Sequence, residues 1–354
     1  MPTAIGVALA ATTLGEGCAA VSALIAADPG VPEASLFGAA RRVSVRNAAF
    51  GNGALAHALN FDANGAAGGH LALAAIPAPL AMAERCDASG RDLITAIALG
   101  AELTARLAAA LSMAGVDANE RFLEGQLLGY FGAALACGRL LRLSASELHA
   151  AMGLALMQAA GSRQISFEGR PAKAIYGAYP SQGGAQAALL AMHGLDARAA
   201  AIEGPAGLYA LAYGGRYDAA TITAGLGERY RATEVVFKRW PTSEMLHPPI
   251  LACQALRGQG IDYQAIEHVD LRVGPHAATW LEPAAERRHP RDAATAANSL
   301  YFGVAKTLVH RTVTLADFTP QGLDDPSSAA LADRIVGTVD ASIGAGAEVT
   351  IRMR

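Results

Sequence analysis

The stretch SGRDLITAIALGAELTARL, residues 89–107, decides the fold class. Ser89 followed three residues later by Asp92 is a helix-start pairing: a side-chain oxygen for an orphan backbone N–H, and an acid for the positive end of the helix dipole. Beyond it alanine, leucine and isoleucine recur at helical spacing with no proline. The texture continues in both directions. From Thr3 to about Leu195, alanine-rich windows alternate with short Gly, Pro or Ser punctuation; Ser144 with Glu147 opens another helix, and Gly194 stands where the helix of QAALLAMH stops. After Gly227 the pattern changes. TEVVFK, HVDLRV and the final EVTIRM are alternating, β-branched runs, separated by helical stretches at about 246–257, 298–309 and 327–337. The expected class is mainly α: a large all-helical domain over residues 1–231 and a smaller α+β domain over residues 232–354, with the boundary near 228–236.

Composition agrees with two domains. At 354 residues the chain exceeds the ~250–300 residues at which one hydrophobic core stops growing. Apolar residues at 52% against 17% charged make helices apolar on more than one face, the condition of buried helices or of an oligomer. A net charge of -3, with no Lys/Arg cluster interleaved with aromatics, argues against a nucleic-acid partner. Cys18, Cys86, Cys137 and Cys253 form no CxxC or Cys/His spacing, so neither a disulfide framework nor a zinc site is indicated. They fit small buried hydrophobes in a reducing, cytoplasmic compartment. AIGVALAATTLGEGCAAVSALIAA, residues 4–27, imitates a membrane span or signal, but it lacks a basic leader and carries Glu16. It is expected to be a buried helix, with no membrane partner.

Three motifs fail on their context. GNGALA at 51–56 has the loose form of a dinucleotide loop, yet neither neighbour is β-like. YPSQG at 179–183 lacks the leading glycine of a nucleophile elbow. None of the nine histidines has a helical His or carboxylate partner at a recognised metal spacing, so no metal is expected.

Polar residues set in apolar surroundings carry the chemistry instead. ALNFDANGAAGGHLALAAIP, residues 58–77, holds Asn60, Asp62, Asn64 and, after a glycine pair, His70; Lys173 lies in RPAKAIYGAYPSQGG and Lys238 in VVFKRWPTSEMLHPP. A lone lysine in such a segment is ordinarily a snorkelling surface residue. Two ammonium groups and an imidazole brought together would instead bind a substrate with two or more carboxylates and stabilise charge developing on it.

NAAFGNGALAHALNFD, the GH of residues 69–70, SGRDLITAIALGAELTARL, AKAIYGAYPSQGGAQAALLA, IEGPAGLYALAY, AGLGERY, FKRWPTSEMLHPPI and VTLADF together resemble the MmgE/PrpD family, in order from about residue 5 to the C-terminus. The resemblance implies a large helical domain, a smaller α+β lid domain, a homodimer, no metal or other cofactor, and a carboxylate-binding cleft between the domains. Its members include 2-methylcitrate dehydratase, cis-aconitate decarboxylase and iminodisuccinate epimerase. The family's first loop resembles DFDDT followed by a histidine. Its first aspartate, threonine and histidine fall on Asn60, Asn64 and His70, while Asp62 keeps the second acid. A family histidine falls on Leu123. Lys173 and Lys238 retain the lysines, and Tyr176 replaces a histidine. Ser243 is the site residue five beyond Lys238, and His247 keeps a histidine before proline. Phe302 takes a tyrosine's place, with Tyr301 beside it.

These departures share a direction: the cations persist, whereas groups that move protons are replaced, and neither an amide nor a hydrocarbon side chain does acid/base work. Relative to the family, the chain is also expected to begin late and to stop before a further helical segment. The resemblance implies an enzyme acting on an anionic carboxylate or carbonyl compound by proton abstraction at the adjacent carbon, a dehydratase or decarboxylase. The alternatives are an isomerase, epimerase or cyclase of a specialised pathway, and a non-catalytic dimeric binding protein. Expected catalytic residues are His70, Lys173, Lys238, Tyr176 and His247; expected substrate-binding residues are Asn60, Asp62, Asn64, Ser243 and Tyr301.

Overall fold

Alanine loses no side-chain entropy in a helix, and its density fixes most of the backbone. A computed structural model describes residues 2–65, 69–168 and 170–354, and the fold is mainly α. Gly68, the first of the glycine pair before His70, lies outside the described residues. Backbone contacts group the chain into two compact units. The first is Met1–Ala58, Asp62–Gln164 and Ala174–Phe237; the second is Leu59–Phe61, Ile165–Lys173 and Lys238–Arg354.

The first unit is built on the helices Val45–His57, Pro77–Arg85, Gly90–Met113, Glu124–Leu140, Ala145–Leu156 and Ala178–Met192. The capping signals act as expected. Ser89 accepts from the Asp92 N–H, Ser144 and Glu147 form a reciprocal capping box, and Gly194 beyond the last helix has φ of 83°. Gly90–Met113 is the one described helix long and apolar enough to cross a membrane, and 56% of its apolar window is buried in the fold. It packs on Glu124–Leu140. On another face it buries an ion pair: Arg106 Nε donates to Glu102 Oε1 at 2.6 Å, and its guanidinium also donates to the carbonyls of Ile222, Ala224 and Arg229. Glu102 in turn accepts from the Ala232 N–H. One buried pair, with further hydrogen bonds on both partners, thus fastens residues 222–232 onto the helix.

The N-terminal run departs from expectation. It is two helices, Pro2–Leu14 and Cys18–Ala27, bent by 87° at the intervening glycines, and Gly17 takes φ of 77°. Each buries one narrow stripe and leaves large apolar side chains outside, Leu9 at 51% and Leu24 at 66% exposure.

GNGALA lies inside the Val45–His57 helix, where its glycines serve close approach. A Cβ on Gly53 would stand 2.6 Å from the Gly177 carbonyl oxygen, and one on Gly177 would stand 2.6 Å from that of Gly53. Two backbones therefore cross with nothing between them. YPSQG is likewise helical: Ser181 is fully buried and donates to the Gly177 carbonyl, a packing serine and no nucleophile.

In the second unit the strand Ile266–Val273 pairs antiparallel with Ala347–Met353 and parallel with Ile335–Val339. Val269, Leu271 and Val273 point into the core with the helices His247–Gly258 and Leu300–His310, as the alternation of HVDLRV requires. Two readings need correction. The helix expected over 327–337 ends at Ala332, because Ile335–Val339 finds a strand partner far away in sequence. TEVVFK supplies only the two-residue strand Val235–Val236, which pairs with Asn64–Gly65 inside the first unit.

Candidate functional site

The Val45–His57 helix ends on a histidine, and the loop after it turns back so that Asp62 reaches that ring. His57 Nδ1 and Asp62 Oδ1 are 2.8 Å apart, and the other carboxylate oxygen, Oδ2, is 2.5 Å from His70 Nδ1. An ionised carboxylate only accepts; with Asp62 in that form, each imidazole would present Nδ1–H to it and keep Nε2 as its basic nitrogen. The His57 side chain is 1% exposed, Asp62 2% and His70 20%. The pairing of Asn64–Gly65 with Val235–Val236 and the Gly65 N–H to Gly69 carbonyl bond hold this loop; Gly69 at φ of 78° then turns the chain into His70.

The rings are fixed from several sides. Tyr176, 3% exposed, lies edge-on to His57 at 4.1 Å between centroids and to His70 at 5.6 Å, while the imidazoles meet nearly perpendicular at 4.9 Å. A Cβ on Gly125 would stand 3.0 Å from the His70 Cβ, so any larger residue would press on that ring. Leu123, where the resemblance puts a histidine, is buried and precedes the Glu124–Leu140 helix. Beside it is an acid that sequence reasoning missed. Glu124 is 1% exposed, exchanges hydrogen bonds with Asn119, and lies against Gly69.

The second unit gathers a different group. Asn60, buried with φ of 51°, turns both its backbone carbonyl and its Oδ1 to Lys238 Nζ, at 2.9 and 3.0 Å. His247 opens the His247–Gly258 helix, edge-on to Trp240 at 5.0 Å; its Nε2 is buried and finds no hydrogen-bond partner among the described residues. Burial, and then the positive charge of Lys238, push His247 down to about 4, so at neutral pH it is uncharged. Ser243 is half-buried just before Glu244–Leu246, its N–H donating to the Ala297 carbonyl. Lys173 lies half-buried in the Pro171–Ile175 turn.

Tyr301 and Phe302 are placed in the core of this unit. The Arg288 guanidinium covers the Tyr301 ring at 4.3 Å, and Phe302 meets Phe318 at 5.8 Å. Of the expected residues, the structure brings Asp62, His70 and Tyr176 to one cluster with His57, and Asn60, Lys238 and His247 to another; Asn64 is buried in the first unit's short ladder.

Sequence reasoning missed His57 because it read as one more helix residue. The available signal was HALNFD, a histidine five residues before an acid with a helix end between them. Together His57, Asp62 and His70 also offer three ligand atoms within 4.8 Å of one another, a donor set suited to a divalent metal. A metal there would compete for the atoms that now hydrogen-bond directly.

Comparison with known proteins matches the chain to one family in two stretches. Residues 3–219 match the MmgE/PrpD N-terminal domain and residues 240–352 the MmgE/PrpD C-terminal domain. A cis-aconitate decarboxylase-like protein, oryM, of Aspergillus oryzae is 28% identical over 85% of this chain and 66% of its own length. The cis-aconitate decarboxylases of Aspergillus terreus and Homo sapiens are each 28% identical, over 48% and 56% of this chain and 36% and 42% of their own. The chain thus spans less than two thirds of the length of these curated relatives.

Proposed function

Because the chain belongs to the MmgE/PrpD family, we propose that it is an enzyme of the lyase kind, a decarboxylase or dehydratase of a small carboxylic acid, with His70 moving the proton at the carbon beside a carboxylate or carbonyl. One observation carries this reading: Asp62 gives one oxygen to each of two imidazoles, and of the three side chains His70 keeps the most solvent exposure. A base needs a fixed tautomer, an anion to support its charged form and access to substrate. With Nδ1–H held by Asp62, His70 Nε2 is the nitrogen that takes a proton from carbon, leaving the electron pair there, or returns one when carbon dioxide departs. Lys173 and Lys238 supply cations for substrate carboxylates, and Tyr176, Ser243 or uncharged His247 a second proton transfer.

An altered outcome, isomerisation or cyclisation in place of loss of water or carbon dioxide, is favoured by Asn60. There an amide, unable to act as a base, is fixed on Lys238. The protein is further proposed to be a cytoplasmic homodimer that works without a cofactor; exposed Leu9, Leu24, Met113 and Met157 support an apolar contact, and a monomer in sedimentation at micromolar concentration would refute the dimer.

The test of the activity is solvent-deuterium exchange over a panel of di- and tricarboxylic acids, cis-aconitate and 2-methylcitrate among them. Exchange or turnover by the native protein that His70→Ala abolishes supports the reading. Turnover unaffected by His70→Ala, or no exchange with any acid, overturns it.

A further inference from the structure

We infer that His57 is a positioning residue: through Asp62 it fixes the tautomer and orientation of His70. The inference rests on His70 being the group that moves the proton, but it concerns a residue that never meets substrate. A histidine at 1% exposure is ordinarily a core residue with its N–H satisfied by whatever acceptor lies nearby. Here the acceptor is the carboxylate that also holds the one imidazole with solvent access.

Asp62 is itself 2% exposed, so solvent is kept from the oxygen that His57 now holds. Without the His57 N–H the carboxylate either rotates within its remaining contacts or binds a proton more readily. In both cases the bond that keeps His70 in its Nδ1–H form is weakened, and Nε2 is no longer reliably the basic nitrogen. The rest of the surroundings maintain the alignment. Tyr176 packs against both rings, and Gly125 leaves His70 no free space on its Cβ side. His57 closes the helix whose Gly53 backbone is seated on Gly177, so its ring does not drift away from Asp62.

The experiment is nitrogen NMR of the histidine rings in the full chain, with exchange kinetics alongside. In the native protein both His57 and His70 are expected as Nδ1–H tautomers; finding His57 as the Nε2–H form overturns the inference without any variant having to fold. In His57→Leu, which removes the donor, His70 is expected to become a tautomer mixture. Where an acid of the panel exchanges, the rate is expected to fall ~10-fold or more at unchanged KM. His57→Asn restores an amide N–H near the position of Nδ1, and is expected to recover the single tautomer and most of the rate. If His70 keeps one tautomer in His57→Leu, or Asn and Leu behave alike, His57 is a packing residue. Should no acid exchange at all, the activity proposal fails while the tautomer measurement still decides this one.

Discussion

Asp62 and Lys238 are the charged members of two clusters, and they are held in opposite ways. Asp62 is bound by two imidazoles, rings that can carry a proton on either nitrogen. Lys238 rests on the carbonyl and amide oxygens of Asn60, dipoles with no proton to exchange. The first arrangement suits proton movement, since each change of state on His70 is answered within hydrogen-bond distance. The second fixes where the ammonium stands. It also explains how an amide at position 60 is compatible with an intact lysine: both Asn60 oxygens orient the ammonium.

The largest expected effect breaks the first arrangement. Asp62→Asn keeps the shape but offers only one acceptor to two N–H groups, so one imidazole is forced to the wrong tautomer; exchange or turnover is expected to fall ~10³-fold or more, comparable to other amide-for-acid changes behind a catalytic histidine. A rate within tenfold of native would show that the carboxylate does not govern the base.

Next come the lysines. Lys238→Ala is expected to weaken substrate handling ~10²-fold, about 3 kcal/mol for a lost charge-assisted contact. Lys238→Arg should rescue poorly, because a planar fork does not sit on the two oxygens of Asn60 as a point charge does. Lys173→Ala is expected to behave similarly, and unchanged kinetics in both alanine variants would move these lysines to the solvated surface. Asn60→Asp sharpens the contrast. A carboxylate beside the ammonium repels an anionic substrate, so KM for an anionic acid should rise, whereas a large gain in dehydration of 2-methylcitrate would mean that only an acid was missing.

The smallest effect is on stability. His247 is held down to about 4 from an ordinary value near 6.5, so the unfolded chain binds the extra proton first as pH falls. The stability this uncharged histidine permits is complete above about pH 6.5 and is lost as pH drops through about 4. In urea titrations the native midpoint should decline over that window more than that of His247→Gln. Parallel declines would mean that another group carries the acid sensitivity.

How much of this was legible depended on the range of the forces involved. Helix starts at Ser89 and Ser144 and the stop at Gly194 are local hydrogen-bond chemistry, written in a few adjacent residues. The strand Ile335–Val339 is short, has a glycine at its centre and owes its form to Ile266–Val273, far away along the chain, so its own residues announced nothing. In the site, Asp62 and His70 were visible as polar residues in an apolar loop. His57 and Glu124 were not, because a buried ionisable residue on a helix looks like any other until the fold brings it its partner. The same limit applies to Tyr301, whose expected role gave no hint of the Arg288 guanidinium over its ring.

The crossing of Gly53 and Gly177 has a consequence for how this scaffold tolerates change. His57 lies one helical turn beyond Gly53 on the same face, and Tyr176 immediately precedes Gly177. The spacing of the two rings is therefore set by main chain against main chain, with no side chain as a spacer. Residues around the rings can be exchanged and the chemistry retuned while the frame keeps its dimensions, but a single methyl group at either glycine would wedge the frame itself apart.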